Sequence, residues 1–313
     1  MAITNSAVSS SQKVLVQEVK QKKKFKKGKW IGWLFILPGL LFHILAVSIP
    51  AIMSFYLPFT EWNGLNVPKF IGIANFIEAF QDSIVWTAFL NNVKWAIFWI
   101  TIPIILAFFL AHLLRKVNKG QTLYQATYFS TSIITVTVAG QIWFWIYNPF
   151  SGVNFYLDKA GLDFLEWPGL TVPALALFSV LLADMWKGFG TNVIWLLASM
   201  TQMDSSLEEA AKMDGAGRFK VIWHVILPQL RPTLIIIILL TMLGSFGAFE
   251  MVYVMTNGGP AHATETLSTY YYTLSTTGRR AGYASAVALF QMFIAILIII
   301  IYAYLRKKKG WEV

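Results

Sequence analysis

Long apolar stretches separated by short polar ones set the plan of this chain. Six runs dominated by hydrophobic residues cover 30–57, 87–114, 122–147, 172–200, 233–255 and 283–305. Each has at least the ~20 residues that a bilayer-crossing helix needs. In lipid the backbone must satisfy its own N–H and C=O groups, and so many runs of this length do so most simply as a helical bundle. The pattern predicts an all-α, polytopic membrane protein with six transmembrane helices. The first run follows a basic stretch, Lys20 to Lys29, as the core of a signal peptide would. It is too long for such a core and carries no convincing cleavage site, so it reads as a retained span.

The positive charges give the orientation. With the N-terminus inside, segments 1–29, 115–121, 201–232 and 306–313 are cytoplasmic and hold 8, 3, 4 and 4 basic residues, which is 19 of the 25. The remaining six are Lys69, Lys94, Lys159, Lys187, Arg279 and Arg280. This asymmetry predicts that both termini are cytoplasmic. Residues 1–29 form a basic tail, 30–85 the first helix and an outer loop, 86–305 the other five helices, and 306–313 a second basic tail.

Composition narrows the function classes. The chain is 57% hydrophobic and 13% charged, against about 25% charged in a soluble domain. It has no cysteine, which removes disulfides and thiolate metal sites. Histidines at 43, 112, 224 and 262 have no metal-ligand spacing, and no phosphate-binding G-x-x-x-x-G-K-[ST] loop occurs. No bound cofactor, metal or catalytic machinery is expected. The formal net charge of +10 lies in the inner segments, which favours topology over nucleic acid as its explanation.

One polar stretch between two apolar runs is strongly patterned. Ser205-x-x-Glu208 reads as a capping box, and Glu208 and Glu209 fall in a first turn, where the helix dipole favours carboxylates. Gly215 is placed to stop that helix. Phe219, Ile222, Trp223 and Ile226 then repeat at i, i+3, i+4, i+7, and Pro228 is expected to end the second helix. The expectation is two short helices around a glycine elbow. A bilayer-surface connector would share this pattern. Glu209-Ala210-Ala211, three residues, Gly215, nine residues, and Val225-Ile226-Leu227-Pro228 resemble the EAA loop of ABC-importer permeases, with Val225 where the family has Ile. The resemblance extends over residues 86–305, implies a type I ABC importer transmembrane fold, and makes 30–57 the additional first helix of sugar permeases. It assigns ATPase coupling to Glu208, Glu209, Ala210, Ala211, Asp214, Gly215, Leu227 and Pro228.

A second segment, Gly258-Gly259-Pro260 followed by Thr264 and Leu267, resembles the GGP-x3-T-x2-L turn of the maltose and multiple-sugar permeases. As residues, it is a sharp turn with no ligand role of its own. The resemblance implies a carbohydrate cargo, with an oligosaccharide favoured. It also implies a second homologous permease, two ATPase subunits carrying ATP and Mg, and an extracellular solute-binding protein. In the fifth run, Thr241, Gly244, Ser245 and Ala248 share one helical face, and Glu250 lies near its outer end. These five are the candidate substrate path, while close helix packing accounts for the small residues equally well. Asn91 and Asn92 are further polar residues in a span. Asp184 and Lys187, at i and i+3, are expected to pair. The rival class is an ion-coupled secondary carrier of a small polar solute, with Asp184 and Glu250 as its relay. It leaves the EAA-like loop unexplained.

Overall fold

The structure, a computed structural model, describes residues 32–117 and 119–308. The basic tail at 1–29 lies outside the described residues, as does the end of the tail at 306–313. The chain divides into two units, residues 1–56 and 57–313. The first contributes most of helix α1 (Gly32–Phe59), an apolar helix with one π-helical turn at Ile44–Ser48.

The second unit holds the rest. Among the described residues a two-residue antiparallel pair in a loop, β1 (Thr60–Glu61) and β2 (Lys69–Phe70), is the sole departure from helix as regular structure. α2 (Ala74–Gln81) leads into α3 (Ser83–Leu114). Then follow α4 (Gln121–Ile133), α5 (Val136–Ile146), α6 (Val153–Lys159) and α7 (Pro173–Thr201). α8 (Ser205–Met213) precedes α9 (Arg218–Phe246), and α10 (Glu250–Met255), α11 (Leu267–Thr276) and α12 (Ala281–Lys308) complete the chain.

Among the described residues five helices are long and apolar enough to cross a membrane, and a sixth crossing is counted if the bent pair α4–α5 is one span. That pair corrects the expectation of one continuous helix over 122–147: its halves meet at 90°. Thr135, Val136, Thr137 and Val138 follow Ile133 and Ile134 there, and β-branched side chains hold helix least well. Ile134 is extended and Thr135 caps α5 by accepting from the Val138 N–H. The pair still climbs beside α7. Ser132 donates to the Lys187 carbonyl, and Tyr147 donates to that of Ser179. Gly190 makes the lower crossing possible, since a Cβ there would collide with the Tyr128 carbonyl.

Three apolar clusters run from one end of this unit to the other. The first joins Leu114 at the end of α3 and Met200 at the end of α7 to Val221, Ile226 and Leu230 at the start of α9. The second packs Trp95 and Phe98 against Val180, Ala183 and Val252. The third joins Val85, Leu267, Tyr270 and Tyr283. The loops between α2 and α3 and between α11 and α12 thus share one end, and the α8 segment lies at the other. Large apolar side chains cover the outside, among them Leu106, Phe109 and Phe293, as a bilayer solvent requires.

Candidate functional site

The patterned segment forms its elbow, with two corrections. α8 is capped by Asp204, whose carboxylate accepts from the Ser206 N–H, so Ser205 and Glu208 do not form a capping box. Glu208 turns inward instead. Arg115 Nη2, just past the end of α3, lies 2.6 Å from each of its carboxylate oxygens. The capping-box pattern could not reveal this partner 93 positions away.

Gly215 ends α8 as expected. It sits at φ +80, its N–H reaches the Lys212 carbonyl, and the Ala216 N–H reaches that of Ala211. These are the two bonds of a Schellman cap. Glu209, Ala210, Asp214, Gly215 and Pro228 are exposed, while Ala211 and Leu227 are half-buried.

The second correction concerns Pro228. It does not end a short helix, because α9 runs from Arg218 through it to Phe246. A proline inside a helix lacks a donor and presses on the preceding turn. Here a π turn over Ile222–Ile226, in which the Leu227 N–H bonds to the Ile222 carbonyl, widens the turn just before the ring. The expected apolar face also divides. Ile226 is buried in the first cluster, whereas Phe219 and Trp223 are exposed.

The second site begins where α9 stops. The fifth span is not one helix over 233–255; it breaks at Gly247, Ala248 and Phe249 before α10. A broken helix in lipid must have its freed carbonyls satisfied by protein. Asn92, fully buried on α3, donates to the Ser245 carbonyl at 2.7 Å and accepts from the Leu267 N–H at 3.0 Å. The Thr266 hydroxyl takes the Ala248 carbonyl at 2.8 Å. Asn91 donates to the Ala263 and Glu265 carbonyls. Both asparagines therefore hold backbone. The Gly-Gly-Pro turn does the same, for Gly258 leaves room for the Glu265 carboxylate, which accepts from Thr269 and contacts His262.

The break opens a cavity of about 530 Å³. Thr241, Gly244, Ser245, Ala248 and Glu250 all line it. Thr241, Gly244 and Ser245 share the face of α9, while Ala248 reaches the cavity from the break. Ser245 donates its proton to the Thr241 carbonyl at 2.7 Å, so its oxygen remains only as an acceptor.

Of the opposite wall only Asp184 was singled out in the sequence. That wall is made by Trp95 and Trp99 of α3 and by Asp184, Thr191, Asn192 and Trp195 of α7. Asp184 accepts from Trp99 Nε1 at 2.9 Å. The expected pairing with Lys187 is only a longer-range one: its charge acts on Asp184, but no ion pair within 4.0 Å joins the two among the described residues. Asn192 is 6% exposed, and its Nδ2 makes no hydrogen bond among the described residues.

A bundle of lipid-length helices, broken beside an internal cavity and bearing a capped connector at the other end, is the build of a membrane transport component. The chain belongs to the family of binding-protein-dependent transport system inner membrane components, whose model matches residues 93–310. It is a multi-pass protein of the cytoplasmic membrane and an ABC transporter permease. It is 32% identical over 274 residues to the probable ABC transporter permease protein YurN of Bacillus subtilis (strain 168), covering 86% of this chain and 94% of that one. Over 297 residues it is 29% identical to AmyD of Thermoanaerobacterium thermosulfurigenes, a probable starch degradation products transport system permease, covering 94% and 99%. In fold it matches a chain of a bacterial alginate ABC transporter crystallised with a periplasmic protein that holds an alginate pentasaccharide. The TM-score there is 0.75 at 22% identity, with 90% of this chain and 96% of that one covered.

Proposed function

We propose that this chain is the permease subunit of an ATP-driven importer and forms part of the translocation path for a carbohydrate, an oligosaccharide first. The observation that carries the reading is the cavity at the α9–α10 break, where hydroxyl, amide and carboxylate groups stand beside indole faces. Sugars need both, because their hydroxyls require hydrogen-bond partners and their ring faces an apolar wall. The name of the AmyD relative supports a carbohydrate cargo.

In this reading the chain pairs with a second, homologous permease. Two ATPase subunits carry ATP and Mg and dock on the exposed face of α8, around Glu209, Ala210, Asp214 and Gly215. An extracellular solute-binding protein delivers the sugar. Both chain termini and α8 are cytoplasmic. The chain binds no cofactor and performs no catalysis. ATP-driven closure of the ATPases moves α8, and the continuous helix α9 carries that motion directly to the break beside the cavity.

The test is uptake of labelled saccharides by proteoliposomes that hold the complete transporter. Uptake that needs enclosed ATP and survives a protonophore is the expected result. Uptake driven by an ion gradient without ATP would establish the secondary carrier instead.

A further inference from the structure

The cavity walls carry a charge pattern that bears on the cargo. Two carboxylates, Asp184 and Glu250, line the cavity, and no lysine or arginine is among its lining residues. Lys187 follows Asp184 by three positions on α7 and its charge acts on that carboxylate from beyond 4.0 Å, but it does not line the cavity and so presents no cation to a ligand there. An anionic ligand would meet like charge in a setting of low dielectric, where repulsion is strong.

What the walls offer suits a different ligand. The Asp184 carboxylate accepts from Trp99 Nε1 at 2.9 Å, with the Trp95 indole also in hydrogen-bonding reach, and a carboxylate has more lone pairs than these two donors use. A carboxylate oxygen is a strong acceptor for sugar hydroxyls. The buried, unpartnered amide of Asn192 is a donor without an acceptor, and leaving it so is costly. Trp95, Trp99 and Trp195 add indole surface, which stacks on ring faces and, with its negative face, attracts cations.

We propose that the path takes neutral or amino-bearing saccharides and excludes anionic ones such as uronate oligomers and sugar phosphates. Asp184 and Glu250 set this limit. The inference rests on the carbohydrate reading of the same cavity and narrows it. It sets this chain apart from the transporter it matches in fold, whose periplasmic protein holds the acidic sugar alginate.

The experiment is equilibrium binding to the complete transporter in nanodiscs, without the solute-binding protein so that its own selectivity does not interfere. The probes are neutral trisaccharides of glucose, mannose, galactose and xylose, a glucosamine trisaccharide, and uronate trisaccharides of equal length. Wild type, Asp184→Asn, the double variant Asp184→Asn/Glu250→Gln and Gly244→Trp are compared. Gly244→Trp places an indole in the cavity, and a Cβ at 244 has nothing within 4 Å, so the side chain starts from open space.

The expected result is that at least one neutral or amino-bearing probe binds wild type about tenfold or more tightly than any uronate, the effect of one charge-assisted contact. The double variant shrinks that ratio, and Gly244→Trp abolishes the binding. A uronate that binds wild type more tightly than every other probe, through a site that Gly244→Trp removes, overturns the charge inference and leaves the carbohydrate reading standing. If no saccharide binds in a manner sensitive to Gly244→Trp, the cavity is not a sugar site and both fall.

Discussion

The ion pair between Arg115 and Glu208 should tie α8 to the end of α3. Both side chains are mostly enclosed, at 13% and 11% exposure, and the guanidinium reaches both carboxylate oxygens at 2.6 Å. Removing one partner of a fully buried pair costs about 3–5 kcal/mol, because the other charge is left without compensation. A fully exposed pair is worth about 0.2–1 kcal/mol. This pair lies between those limits, near the end of the bundle. Glu208→Gln keeps the shape and one acceptor but loses the charge, and it should cost about 2 kcal/mol. Arg115→Met keeps most of the apolar stem and should cost a similar amount. The double variant should cost clearly less than the sum, with a coupling of about 1–2 kcal/mol. Denaturant-induced unfolding in detergent micelles, followed by tryptophan fluorescence, measures the stabilities. ATP-dependent uptake by the assembled transporter measures whether α8 still transmits motion, and each single variant should reduce it. A coupling below about 0.3 kcal/mol, together with full uptake in Glu208→Gln, would refute the idea that this pair positions α8.

Three further outcomes follow from the geometry. Gly215→Ala should destabilise α8 by about 1 kcal/mol, since φ +80 suits only glycine well while the space for a Cβ is open; Gly215→Asn should recover much of the loss, as read by thermal unfolding. At the other end, burial works to raise the Asp82 carboxyl, but hydrogen bonds from the Tyr270 and Tyr283 hydroxyls and from backbone N–H groups outweigh it and hold the group below its ordinary value of 3.8. Its contribution is therefore complete above pH 3.8 and fades as pH falls through the lower folded value, so the stability gap between wild type and Asp82→Asn should be constant near neutrality and close below about pH 4. In the cavity, Thr241→Val should reduce sugar uptake more than Ser245→Ala, because the Ser245 proton is already given to the Thr241 carbonyl; equal and undiminished uptake in both would assign that face to packing.

Much of this architecture was legible because it rests on composition and local chemistry. Lipid-length runs need no partner to be recognised, and Gly215 ends a helix through its own backbone freedom. What escaped notice depended on contacts across the bundle. Glu208 chose Arg115 over its own helix end, because an enclosed charge gains more from a counter-charge than from a cap. Pro228 stayed inside α9 because a π turn precedes it, and no single residue there announces the wider turn. The break at 247–249 is stable only because Asn92 and Thr266 take the freed carbonyls. The cavity wall on α7 did leave a signal. Asp184, Gly188, Thr191 and Trp195 recur at i, i+4, i+7, i+11, a stripe along one face of α7. Its one ionisable member, Asp184, also has Lys187 at i+3, a local partner that accounts for it without the stripe.

In the proposed function a saccharide passes through the cavity at the α9–α10 break while partners docked on α8 consume ATP. Gly244→Trp tests it most directly, since a side chain at 244 meets nothing within 4 Å of its Cβ and projects beside Thr241 and Ala248. In proteoliposomes with the complete transporter, the account predicts that this variant assembles with its ATPase subunits, hydrolyses ATP, and takes up saccharide at no more than the background rate. Wild-type uptake through the filled cavity would contradict it.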